Sequence, residues 1–287
     1  MEAGGEGKWN WKSLDESGIE ETLFGYYRQA INDNPGDPTG YIRLAQANAV
    51  SMIAYTTPYD GMLVPKVKAI ESLLKKALEL DPNSSEAYYQ RAAFCYQDMG
   101  LDEGIRGVGA NENIKIEKGI SDSRKAIELK SDDAKAYILL GDFYADKCRW
   151  EIGTYGSPDM KLAWQLFEQA HDKAKNPQEQ ARIYYSMGRW YETSGRMHGS
   201  ETKAKLNDYQ KAIACFDKAI SLDPSLFRAY ERRAGVGDDY GFLTGRDKEI
   251  MHEEFVRWNE KAKQVIEEQL VAAETMYQYL LGEGEEE

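Results

Sequence analysis

Tyr137-Ile138-Leu139-Leu140-Gly141-Asp142-Phe143-Tyr144 sets a large residue, then an apolar residue and a glycine three and four positions on, then a second tyrosine. Tyr184, Met187, Gly188 and Tyr191 repeat the arrangement. These spacings put the large residues on one stripe of a helix. The small residue between them admits a close neighbour, because a side chain at Gly141 or Gly188 would hold the two backbones apart. Ala45, Ala92 and Ala234 take the same place in three further copies. The opening tyrosines Tyr41, Tyr88, Tyr137, Tyr184 and Tyr230 follow one another at 47, 49, 47 and 46 residues. A fixed period means that each unit cannot bury its apolar face alone and must stack on its neighbours. A binding scaffold is therefore expected before an enzyme.

A second helix precedes each of these, best seen in Ala212, Phe216 and Ala219 before Asp223 and Pro224. Pro224, Pro35 and Pro82 stop it, since proline cannot continue a helix and biases the residue before it away from helical angles. Asp81-Pro82-Asn83-Ser84-Ser85 then supplies a turn and capping side chains for the next helix. Ile19 to Ile31, with Leu23, Tyr27 and Ala30, fits a lone second helix ahead of the first complete unit.

Over roughly residues 20 to 241 these motifs resemble the tetratricopeptide repeat, with its large aromatic, Leu-Gly and Tyr on helix A and its Ala, Phe, Ala, Pro on helix B. Arg91 and Arg233 depart from the pattern where leucine is usual, Ser131 replaces the turn proline, and Lys175-Asn176-Pro177 shifts it. The family period is about 34 residues, and HEAT or armadillo repeats, at about 40 to 47, are the structural alternative. The Asp-Pro turn and the tyrosine stripe favour the former. The resemblance implies an all-α fold, a right-handed α-α superhelix of about five helix pairs with a half-repeat at the N-terminus and a long C-terminal capping helix.

The excess length falls between helices A and B of each unit, at residues 56–65, 101–113, 153–159, 195–207 and 241–248. Lengthened helices with ordinary loops would account for it, as would a ligand-facing rim carrying Tyr59, Met62, Leu63, Val64, Ile105 and Val108. The expected organisation is a flexible segment at 1–17, a solenoid at 18–246, a capping helix at 247–281 and a disordered acidic tail at 282–287. Trp9 and Trp11 are expected to fold back on the first helix, with a partner-binding tail as the alternative. The cap is read from a stripe of Phe255, Trp258, Ala262, Ile266, Leu270, Ala273 and Tyr277. Its apolar surplus could instead dock a second copy.

A net charge of -13 repels nucleic acid and anionic membrane surfaces on average. No apolar run is long enough to span a bilayer, and the first twelve residues lack the apolar core of a signal peptide, so a cytoplasmic location is expected. Cys95, Cys148 and Cys215 are widely separated and read as small hydrophobes rather than a disulfide framework. Gly104, Gly107 and Gly109 lack the strand and lysine of a phosphate cradle, and His171, His198 and His252 form no metal-ligand spacing. No pair of carboxylates stands out as an acid/base couple. No catalytic residue, cofactor or metal is therefore expected.

In tetratricopeptide proteins helix A lines the concave groove. Carried over by position, the resemblance implies ligand-facing residues Tyr89, Ala93 and Tyr96, then Ile138, Asp142 and Ala145, then Arg182, Tyr185 and Arg189, then Arg228, Glu231 and Arg232. The later arginines suit an acidic peptide or a terminal carboxylate, unless they pair with Glu192, Glu231, Asp238 and Asp239. Ile42, Tyr89 and Ile138 replace the lysine of the chaperone-tail binders, which disfavours that ligand. The expected function is a non-catalytic scaffold that binds an extended or helical segment of another protein. A structural subunit, self-associating through the rim or the C-terminal helix, and a small-ligand-binding solenoid are the alternatives.

Overall fold

The turn sequences place the helix ends. In the computed structural model, which describes residues 19–54, 63–102, 112–150, 158–198 and 202–280, these are α1 (Ile19–Asp33), α2 (Pro38–Ala54), α3 (Leu63–Leu80), α4 (Ser85–Asp102), α5 (Glu112–Leu129), α6 (Ala134–Trp150), α7 (Pro158–Lys173), α8 (Pro177–Met197), α9 (Thr202–Leu222), α10 (Phe227–Thr244) and α11 (Lys248–Leu280). Every regular element among the described residues is a helix. Pro35, Pro82 and Pro224 lie in the turns that follow α1, α3 and α9. In the latter two turns the aspartate carboxylate accepts the amide two residues on, Asn83 from Asp81 at 2.9 Å and Ser225 from Asp223 at 3.0 Å, an Asx turn that ends one helix and starts the next. The shifted turn works differently. Asn176 caps α8 by accepting the Glu179 amide, Pro177 takes the first helical position, and the Glu179 carboxylate accepts the Lys175 amide in return.

The repeat tyrosines have a second role beyond filling a stripe. Tyr41, Tyr137 and Tyr230 each donate the phenol hydroxyl to a turn carbonyl six residues upstream, Pro35, Ser131 and Pro224, at 3.1 to 3.2 Å. The acceptor is a backbone oxygen, so Ser131 serves as well as proline.

The small residues also act as expected, with one correction. It is an aromatic ring of helix B, not a backbone, that fills the space at each glycine: Phe167 of α7 lies over Gly141 and Phe216 of α9 over Gly188. Both rings are fully buried.

The chain divides into two compact units, Met1–Lys115 and Ile116–Glu287. In the first, α2 packs on α1, α3 and α4 around Ala45, Ile70, Leu74 and Phe94. In the second, α7 and α9 each pack on the A helix before and the A helix after, and α6, α8 and α10 touch in succession. Tyr209, Ala212, Phe216 and Val236 form one of its buried clusters.

Two of the expected A–B loops are in large part helix. Residues 195–197 and 202–207 belong to the ends of α8 and α9, each 21 residues long, and Gly195 is buried under the Tyr209 ring. Likewise α10 runs to Thr244 and closes at Gly245, whose φ of 69° only glycine adopts readily, with Arg246 N–H bonded to Gly241 O at 3.0 Å. Here the added length of the repeat is added helix. Trp9, Trp11, Tyr59, Met62, Gly104, Ile105, Gly107, Val108, Gly109 and the tail at 282–287 lie outside the described residues.

The final helix is continuous over 33 residues. Met251 and Ala262 are buried and Trp258 is half-buried, whereas Phe255, expected on that stripe, is exposed. Trp258 sits beside Tyr230, with Arg233 and Lys261 each 5.0 Å from its ring centre. Arg233 also bonds Asp217 at 2.9 Å, so the arginine that replaces the family's leucine holds the last three helices together.

Candidate functional site

Helices α6, α8 and α10 are the first members of successive pairs, so side chains about one period apart in sequence meet in space. Arg189 of α8 reaches back to α6. Its Nη2 stands 3.0 Å from both Asp146 oxygens and its Nη1 3.5 Å from Asp142 Oδ1. Ser186, nearly one turn earlier, donates its hydroxyl to Asp142 Oδ2 at 3.1 Å. Asp142, Asp146 and Ser186 are buried.

Further along α8 the buried Glu192 accepts Arg196 of its own helix at 2.8 Å and Arg232 of α10 at 3.3 Å, and Arg196 lies 3.9 Å from Asp239. The outcome is a row of alternating charge across three helices.

The row is unevenly balanced. Burial pushes the Asp142 carboxyl up to about 7, Arg189 opposing and Asp146 adding to the shift. Burial also raises Glu231, against the pull of Arg228 and Arg232. For Arg232 burial disfavours the charge, but Glu192 and Tyr185 outweigh it and hold the guanidinium above its ordinary range.

The four arginines grouped by sequence thus separate into two kinds. Arg189 and Arg232 are held by carboxylates, whereas Arg182 and Arg228 are exposed and form no ion pair among the described residues. Tyr185 is half-buried, its ring 5.9 Å from Phe216. Asp142 is turned to Ser186 and Arg189 rather than outward. Ile138 and Ala145, expected to face a ligand, are core residues, 7% and 6% exposed. Tyr89, Ala93 and Tyr96 are half-buried on α4 of the first unit.

Sequence reading missed Asp146, Ser186 and Arg196. The signal was present: Asp146 and Arg189 lie 43 residues apart and Glu192 and Arg232 lie 40 apart, opposite charges separated by nearly one repeat.

A second polar cluster fastens the α8–α9 hairpin. Asp208 of α9, buried, accepts the Ser194 hydroxyl at 2.5 Å and faces His198 Nε2 at 3.0 Å. The single proton of Ser194 goes to the carboxylate and not to the imidazole, the reverse of what an activated nucleophile needs. The Cys215 thiol is pushed up to about 11 by burial, which also disfavours a thiolate. No group of three or more His, Cys, Asp or Glu among the described residues is placed to hold a metal ion. A depression of 280 Å³ lies open to solvent beside Tyr41, Leu73 and Lys76. No described helix is long and apolar enough to cross a membrane.

Paired helices with small-residue contacts and Asx turns define a helical-repeat protein. Tetratricopeptide-repeat models match residues 73–105 and 200–226. Among solved structures, a thermophilic tetratricopeptide-repeat protein of Thermus thermophilus superposes with a TM-score of 0.53 at 15% identity, over 79% of this chain and 94% of that one. Human IFIT1, solved as a dimer with m7Gppp-AAAA, gives 0.59 at 15% identity over 83% of this chain and 45% of its own. No curated protein matches by sequence. This chain carries tetratricopeptide repeats within a fold of paired helices.

Proposed function

We propose that this protein is a non-catalytic cytoplasmic scaffold that binds an extended or helical segment of another protein along the face of its A helices. The carrying observation is that Arg182 and Arg228 stand exposed on α8 and α10 and form no ion pair among the described residues, beside a row of guanidinium groups already fixed by Asp142, Asp146 and Glu192. A fixed row presents little freedom to lose on binding. The exposed arginines, with Tyr185 and the outer edge of Arg232, suit an acidic segment, because guanidinium engages carboxylates bidentately. In the first unit, taken by itself, Tyr89 and Tyr96 on α4 suit apolar contact. With a net charge of -13, such a partner is selected locally and against the average field.

The test is capture from native lysate with wild type beside Arg182→Glu plus Arg228→Glu, helicity being checked by circular dichroism. A partner lost only in the folded double variant, and then bound directly as its isolated acidic segment, supports the reading. Identical partners for both proteins overturn the arginine face.

A second reading, self-association, is favoured by Ile250, Phe255 and Val256, which are all exposed on α11. Light scattering of the purified chain decides it: a stable dimer that Phe255→Glu disperses would move the function to that helix.

A further inference from the structure

Asp142 has the poorest charge partner of the buried groups in the row. Arg189 turns its Nη2 to both oxygens of Asp146 at 3.0 Å and leaves Asp142 only Nη1 at 3.5 Å, beyond the usual length of a charge-assisted bond. Ser186 supplies a neutral hydroxyl at 3.1 Å. Asp146 lies one helical turn away as a like charge. A carboxylate so placed is costly to keep ionised away from water, whereas a carboxylic acid costs little.

We propose that the junction of α6 and α8 is a proton-operated joint, closed while Asp142 carries a proton and loosened when it ionises. The groups that act on Asp142 are Arg189 and Ser186 from α8 and Asp146 from its own helix. Among the described residues, the charges that α5 turns to α6, Glu117 and Arg124, go to Lys147 and to the Tyr144 hydroxyl instead. Arg189 is influenced in turn by Arg232 of α10. Burial, the largest influence, sets the carboxyl of the closed joint at about 7, so the proton that holds it closed is gone above neutrality.

The direction follows from linkage. A carboxyl raised in the folded state binds its proton more tightly there than in the unfolded chain. Its stabilising effect is complete below the ordinary range of Asp, is lost progressively from there to about 7, and is absent above. Joint opening also shifts Arg189, and through it the face of α8.

The experiment uses the full chain with aspartate labelled at 13Cγ. One carboxyl signal titrates near pH 7, disappears in Asp142→Asn, and is displaced in Ser186→Ala; titration of every aspartate near 4 overturns the proposal. Amide exchange, corrected for intrinsic rate, rises from the ordinary range of Asp up to about pH 7 and levels off above it around residues 142–146 and 186–189 in wild type, but not in Asp142→Asn. Exchange that is flat in wild type, or rises equally in the variant, removes the joint. Should Asp142→Asn not fold, the wild-type signal and its displacement in Ser186→Ala still decide the matter.

Discussion

An added Cβ at Gly141 would stand 2.5 Å from the Phe167 ring, and one at Gly188 2.6 Å from Phe216. Neither ring has room to withdraw, both being fully buried. Gly141→Ala and Gly188→Ala should each lower stability by about 1–3 kcal/mol, read from the urea midpoint, because a methyl inserted in a packed core forces side chains off their rotamers. Gly235 lies at the neighbouring position of α10, and a Cβ there meets nothing within 4 Å. Gly235→Ala should therefore raise stability by about 0.5–1 kcal/mol through reduced freedom of the unfolded chain. Tyr137→Phe removes the hydrogen bond to Ser131 O from a buried ring and should cost about 1 kcal/mol.

Much of this was legible in the sequence. Period, small residues and turn prolines each express a local constraint that one repeat satisfies by itself. The tyrosines were legible as large residues but not as donors, since nothing in a stripe shows which carbonyl its polar tip will reach.

At the scale of helices, legibility fell where partners sit one repeat away. Arg189 and Arg232 were recognised as groove candidates, but whether they face a ligand or a neighbour depends on the rotation of three helices about their axes. Residues close in space and 40 to 44 apart in sequence carry that information only jointly. Asp208 shows the energetic consequence. It unites Ser194 and His198, at the end of α8, with α9. Asp208→Ala leaves buried polar groups without that acceptor, and should destabilise the hairpin by about 2–4 kcal/mol. Hydrogen exchange should show the loss first in residues 190–198 and 204–210. Uniform acceleration across α6 to α11 would mean instead that the hairpin opens only with the whole unit.

The whole chain is assembled from neighbours. In a repeat protein, stability is close to a sum of unit terms and nearest-neighbour interfaces, so a block that contains its own contacts can stand without the rest. The second unit has a core of its own: Ile116, Phe143, Met160, Phe167, Ile183, Phe216 and Val236 all belong to it and are fully buried, and α11 covers α10 at its end. The first unit has fewer such side chains, Ile70 and Leu74 being its fully buried large ones among the described residues. A fragment of residues 112–287, cut ahead of α5 so that this helix stays whole, should therefore remain helical and unfold cooperatively. A fragment of residues 1–111 should be the weaker of the two, with a lower urea midpoint. In the intact chain the same difference should appear as earlier exchange of α1 to α4 than of α6 to α10. If residues 112–287 instead bind hydrophobic dyes and lose near-ultraviolet dichroism while keeping helix, the core of the second unit depends on the first, and the additive picture fails for this protein.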